Sequence, residues 1–179
     1  MYFPSHSNLK KDIPQELIDG SYDIPGGRFV SFTPKFKYLG TYLSQSLTED
    51  IDINARILAA TKNFNALGRS IFRNRKISLD IRSQLYLAIT VNILLWGCDS
   101  WALKRSQLDK ISCFHKKCMR QLCGYTMFSV KEHHIKTKVC MEKTTNLKPI
   151  ETYITIRQLR FLTRIAEMPD NRLNYPPSC

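Results

Sequence analysis

The side chains with the plainest chemical use in this sequence are cations. On a helical projection of about 100° per residue, Lys62, Arg69 and Arg73 fall within about 40° of one line, and Lys76 joins them if the helix reaches it. Ile57, Ala60, Phe64, Leu67 and Ile71 fall on the opposite side. No acid occurs between Asn54 and Lys76. A solvated helix face usually mixes both signs, often as Glu/Lys pairs four apart. A stripe of one sign suits a row of phosphates, whose contacts carry affinity without reading sequence. The plainer alternative is a solvent face that happens to be basic, and a membrane-surface helix ranks last because its only aromatics are Phe64 and Phe72. Near the C-terminus Arg157, Arg160 and Arg164 repeat the theme at i, i+3 and i+7, beside Ile154, Phe161 and Ile165.

The thiols and imidazoles suggest zinc at first sight. Cys113, Cys118 and Cys123 are evenly spaced, with His115 among them and His133-His134 downstream. Residues five apart on a helix are rotated by about 140°, so the three point in three directions. No C-x-x-C pair occurs, so no metal ligand set is assigned. His115 lies inside the apolar stripe of Leu108, Ile111, Cys118, Met119 and Leu122, which makes it a hydrogen-bonded core histidine. None of the six cysteines has a neighbouring His or other activating group in the sequence. The one dense acid cluster, Glu49-Asp50-x-Asp52, sits where a helix N-terminus favours negative charge. Nucleotide-binding glycine loops, H-E-x-x-H and G-x-S-x-G are all absent. The catalytic assignment is therefore none.

These groups must be positioned by elements that the pattern also marks. In residues 1–36, "DGSYDIPGGRF" is turn chemistry between the strand-like pieces "MYF" and "RFVSF", the latter leading through Thr33-Pro34 into "FKYLGTYL". Helical periodicity begins at Thr48, with a first helix to about Arg73. A second runs from Ser78 to about Leu103. A third starts at Ser106, where Ser106-x-x-Asp109 approximates a capping box, and stops at Cys123-Gly124. Ser129-x-x-Glu132 marks a short fourth helix, and Pro149 opens a fifth that reaches Glu167. The fold class expected is mainly α, a small N-terminal β-hairpin or sheet fragment followed by a bundle of about five helices. The expected divisions are 1–47, 48–104 and 105–179.

With 179 residues the chain can bury one proper core, and a net charge of +12 favours polyanionic partners. The apolar run Leu85 to Cys98, interrupted by Thr90 and Asn92, is shorter than the roughly 20 residues a spanning helix needs. It reads as a helix buried between neighbours, with Gly97 inside it suggesting close approach of a second backbone. Trp96 and Trp101 then point different ways, one into the core and one toward the helices that follow. "MYFPSHSNLKKD" lacks the pattern of a signal peptide. The expectation is an intracellular protein of nucleus or cytoplasm with reduced thiols, no membrane segment and no small-molecule substrate.

Several stretches together resemble one family. "FKYLGTYLS" is similar to the "FKYLG" that follows the catalytic palm in LINE-type (non-LTR) retrotransposon reverse transcriptases. "INARILAATKNFNAL" resembles that family's first thumb helix, "LLWGCDSWAL" its "LLYGCExW" block, "FHKKCMRQLCG" its aromatic-His/Glu, basic, Cys, Arg helix, and "RQLRFLTRIAEMPDNRL" its "RRQLRWLGHVxRMPxxRL" ending. "MYFP" resembles a late palm strand. The stretches are collinear and span nearly the whole chain. Trp96 stands for the family's Tyr, Asp99 for Glu, Phe161 for Trp and Thr163 for Gly.

The resemblance implies the palm edge, thumb and following helical region of an RNA-directed DNA polymerase. The family's paired catalytic aspartates and their Mg2+ belong to a palm expected upstream of Met1, so this chain holds no cofactor and is not expected to be active alone. It implies RNA and DNA as partners, held by the duplex backbone. By position, Phe36, Lys37, Tyr38, Leu39 and Gly40 correspond to a primer-grip-like segment, and Lys62, Arg69 and Arg73 to the thumb face toward the heteroduplex. A stand-alone nucleic-acid-binding module, or one part of a split enzyme, remain as alternatives.

Overall fold

In the computed structural model, residues 21–24, 28–31, 33, 35–44, 48–125, 128, 132, 136–144 and 147–168 are described. The chain forms two compact units, Met1–Ala55 and Arg56–Cys179. The fold is mainly α with small N-terminal hairpins, as the periodicity implies. The "MYF" strand lies outside the described residues.

The first unit holds two separate antiparallel hairpins rather than one sheet fragment. Strand β1 (Ser21–Ile24) pairs with β2 (Arg28–Ser31), and β3 (Lys35–Tyr38) pairs with β4 (Thr41–Ser44). The second hairpin is closed by Leu39 and Gly40 at φ 46° and 89°. Two successive positive φ values match the right-handed twist of paired strands, which is why two-residue hairpins favour this turn. Gly40 takes the conformation freely, whereas Leu39 bears a steric cost. Helix α1 (Asp50–Ala66) follows. Asp52 in its first turn is fully buried and accepts a hydrogen bond from the Tyr42 backbone N–H at 3.1 Å, tying helix to hairpin.

The first helix does not run regularly to Arg73. After Ala66 the chain widens into a π-type turn, Gly68–Phe72, where the Phe72 and Arg73 N–H groups reach back five residues to the Leu67 and Gly68 carbonyls. Helix α2 (Leu79–Leu85) is capped by the Ser78 hydroxyl, which accepts from the Ile81 N–H, and it too widens at Tyr86–Val91. A short α3 (Asn92–Leu94) follows.

The second helix therefore stops at Leu94, well before Leu103. Gly97 takes φ 78°, and Cys98–Ser100 form a 3-10 turn. Gly97 is needed for left-handed backbone at a helix stop, not for close approach inside a continuous helix.

Helix α4 (Arg105–Leu122) begins after Lys104, not at Ser106. The Gln107 side chain reaches back to accept from the Lys104 N–H at 2.9 Å, so Gln107 supplies half of the box assigned to Ser106 and Asp109. The helix ends at Cys123 and Gly124 (φ 82°) as read from the sequence. The Ser129-x-x-Glu132 helix falls largely outside the described residues. Helix α5 (Thr137–Lys143) precedes α6 (Ile150–Ala166), whose start is set by Pro149 at the cap position.

A chain of rings organises the core of the second unit. Phe64 stacks on Phe72 at 4.8 Å between centroids, and both meet Tyr86 edge-on. Tyr86 lies against His115, and His115 against Tyr153. Each such contact contributes about 0.5–1.5 kcal/mol beyond its buried area. Val91, Leu94, Leu95, Ile111, Met119, Leu122, Ile150 and Ile154 complete the packing.

Candidate nucleic-acid interface

The basic residues of the first helical stretch fall on three kinds of backbone. Lys62 projects from regular α1, Arg69 from the π-type turn, Arg73 from its end, and Lys76 from the turn beyond. All four are exposed. A π-type turn advances each residue by less than 100°, so the line drawn on a regular wheel does not extend past Leu67. What replaces it is a basic corner. The Arg73 guanidinium folds back over Gly68, and a Cβ at Gly68 would run into it. Lys76 has its backbone N–H held by the Asn74 side chain.

Arg75 joins this corner, and the helical projection misses it. It is exposed, and its guanidinium lies over Gly124 at the end of α4, where a Cβ would come within 3.3 Å. The run "RNRK" at 73–76 contains the signal, but a wheel cannot place a residue that has left the helix.

The corner is braced from beneath by Arg82. This guanidinium is buried and donates to the Ile77 carbonyl at 3.0 Å, the Phe72 carbonyl at 3.1 Å and the Leu122 carbonyl at 2.8 Å. It thereby joins the end of the π-type turn to the end of α4. Three carbonyls share one charge, and their dipoles replace the water it has lost.

The arginines of α6 divide differently. Arg157 donates to the Leu95 carbonyl at 3.1 Å and to the Asn92 Oδ1, so its guanidinium caps the broken helix α3. Arg160 and Arg164 are exposed. The neighbouring Gln158 donates to the Cys98 and Trp101 carbonyls at 3.2 and 2.9 Å. The two tryptophans part company here. Trp101 is 4% exposed and Trp96 56% exposed, so Trp96 faces solvent instead of the core.

Phe36, Lys37, Tyr38, Leu39 and Gly40 belong to the first unit and form strand β3 with its turn. Phe36 and Tyr38 share one strand face with rings 6.5 Å apart, and Lys37 on the other face lies 5.6 Å above the Tyr42 ring. Phe36, Lys37, Tyr38 and Leu39 are all exposed.

The remaining candidates for chemistry are committed to structure. His115 Nε2 donates to the Lys148 carbonyl at 2.9 Å, which leaves Nδ1 to accept from the Tyr86 hydroxyl at 2.8 Å. Burial holds the His115 imidazole below its ordinary pKa, against the Lys148 hydrogen bond and the Glu151 charge. Burial also pushes the Cys98 thiol up to about 11, outweighing Arg157, and the Cys118 and Cys123 thiols up to about 12. These are inert thiols at neutral pH. The acid cluster does not suit the Mg2+ that the family resemblance implies, because Asp52 is buried and spent on Tyr42. Among the described residues no three His, Cys, Asp or Glu side chains converge as metal ligands would, and no helix is long and apolar enough to cross a membrane.

Comparison with known proteins gives no match to a family model, a curated protein or a solved structure.

Proposed function

We propose that this chain is a reverse-transcriptase-like thumb region with its flanking segments, related to LINE-type retrotransposon enzymes, and that it binds the backbone of RNA and DNA without reading sequence. The carrying observation is the exposed basic corner, Lys62, Arg69, Arg73, Arg75 and Lys76. It stands on a wide helical turn, a feature frequent at functional sites. The collinear motifs from "FKYLG" to "RQLRFLTRIAEMP" support the family reading. No Asp-Asp pair occurs in the sequence, so polymer synthesis is not assigned to this chain on its own.

Titration of an RNA–DNA hybrid at several salt concentrations tests the reading. Log affinity should fall linearly with log salt. Charge reversal at Lys62, Arg69 and Arg73 to Glu should cost about 100-fold at low salt and flatten the slope by about three. A flat slope in the unaltered chain would remove the backbone-binding proposal. Primer extension by the pure chain with Mg2+ or Mn2+ is expected to yield no product, and incorporation would overturn the non-catalytic assignment.

A further inference from the structure

We propose that Trp96 is a stacking platform for an unpaired base, with Arg160 and Arg164 holding the adjacent phosphates, so that this edge of the helical unit takes a single-stranded stretch of nucleic acid. The inference rests on the nucleic-acid reading above but concerns a different surface and a different form of the ligand.

Trp96 occupies the turn between α3 and the 3-10 segment, and left-handed Gly97 follows it. The backbone on both sides is pinned by consecutive side chains of α6. Arg157 holds the Leu95 carbonyl and the Asn92 side chain, and Gln158 holds the Cys98 and Trp101 carbonyls. A large indole is thus kept 56% exposed on a turn anchored at each end. A rigid, pre-placed ring loses little entropy when a planar ligand stacks on it.

The cations lie close by on the same helix. Arg160 is three residues and Arg164 seven residues beyond Arg157, on the same side of α6, and both are exposed. Arg157 is anchored beside Trp96 through the Leu95 carbonyl, so this side of α6 extends from the indole. An aromatic face followed by a row of guanidinium groups is the arrangement that binds single strands without sequence preference. In a duplex both faces of every base are already stacked, so an indole on a protein turn gains a base only where pairing is absent. The ligand class is therefore single-stranded RNA or DNA, and this edge is distinct from the basic corner assigned to duplex backbone.

The two tryptophans make the test direct, because Trp101 is buried and Trp96 is not. The experiment uses the full chain with fluorescein-labelled oligo(dT) and a blunt duplex of equal length, reading intrinsic fluorescence and anisotropy together. Saturation with oligo(dT) should quench the solvent-exposed emission and leave the buried component in place. Trp96→Ala should weaken oligo(dT) binding about 10-fold and duplex binding less than about 2-fold, from the 1–3 kcal/mol ascribed to one stacked base. Trp96→Phe, which keeps a π face and serves as the folding control, should retain most of the affinity. Arg160→Glu with Arg164→Glu should weaken oligo(dT) binding more than duplex binding. Oligo(dT) binding that leaves Trp96 unquenched, or that Trp96→Ala does not weaken, overturns this inference and leaves the basic-corner proposal standing. Failure of both ligands to bind overturns the two together.

Discussion

The two arginine-bearing regions of the helical unit look alike in sequence and differ in use. Around the π-type turn, the guanidinium that acts structurally is Arg82, which is buried and shared among three carbonyls, while Arg69, Arg73 and Arg75 stay exposed. On α6 the structural guanidinium is Arg157, half-buried and spent on one carbonyl and one amide, while Arg160 and Arg164 stay exposed. Each region spends one arginine to hold a helix end and leaves others to solvent. An arginine's place on a helix does not say which it will be. That is decided by the nearest carbonyl without a partner, which belongs to another element.

The contrast is open to breaking in four steps. The largest effect is expected at Arg82. Arg82→Ala removes three hydrogen bonds and strands buried carbonyls, and should cost about 3 kcal/mol in urea denaturation. A loss below about 1 kcal/mol would remove Arg82 as the brace of the corner. Arg157→Ala should cost less, about 1–2 kcal/mol, since its site is closer to water. In the same assay Arg69→Ala and Arg160→Ala should leave the denaturation midpoint unchanged, and a cost equal to that of Arg157→Ala would erase the distinction between structural and exposed arginines.

Gly97→Ala forces a side chain into left-handed backbone. It should lower stability by about 1 kcal/mol, readable as a fall in Tm. An unchanged Tm would mean that the turn carrying Trp96 is not set by that conformation.

The smallest effect is a pH dependence at His115. Its pKa is lowered in the folded state by burial. The unfolded chain therefore binds the proton more readily, and the stabilisation is present in full above the unfolded value of 6.5. It is lost as the pH falls below that value toward the folded pKa. Denaturation midpoints between pH 7.5 and 5 should decline for the native chain and decline less for His115→Gln. Equal slopes would show that other groups carry the dependence.

Much of the helical frame could be read from residue types. His115 in an apolar stripe is the buried, doubly hydrogen-bonded histidine that its surroundings imply. Gly124 ends α4 and Pro149 opens α6 because those two residues have few other conformations. Ala60 and Phe64 face the core as their spacing indicates. The misreadings share one cause, which is a regular 3.6-residue period carried too far. It placed Arg73 and Lys76 on a helix that widens at Gly68, and it carried the second helix through Gly97. It gave no reason to separate Trp96 from Trp101. The capping of α4 by Gln107, and the carbonyl contacts of Arg82 and Arg157, depend on partners 3, 40 and 62 residues away. No window of the sequence short enough to show a period contains the longer two.

The wide turns at Gly68–Phe72 and Tyr86–Val91 have one more consequence, for insertions and deletions. Each accommodates about one residue more than a regular helical turn of the same span. Removing a single residue from either segment would let the chain relax into ordinary α-helix, but everything after it would be turned by about 100°. After the first turn, the following residues would lose their phase against the Phe64, Phe72 and Tyr86 rings. After the second, Leu94 and Leu95 would leave the core. Length in these two stretches should therefore be far less tolerant of change than composition, and a one-residue deletion there more damaging than most substitutions.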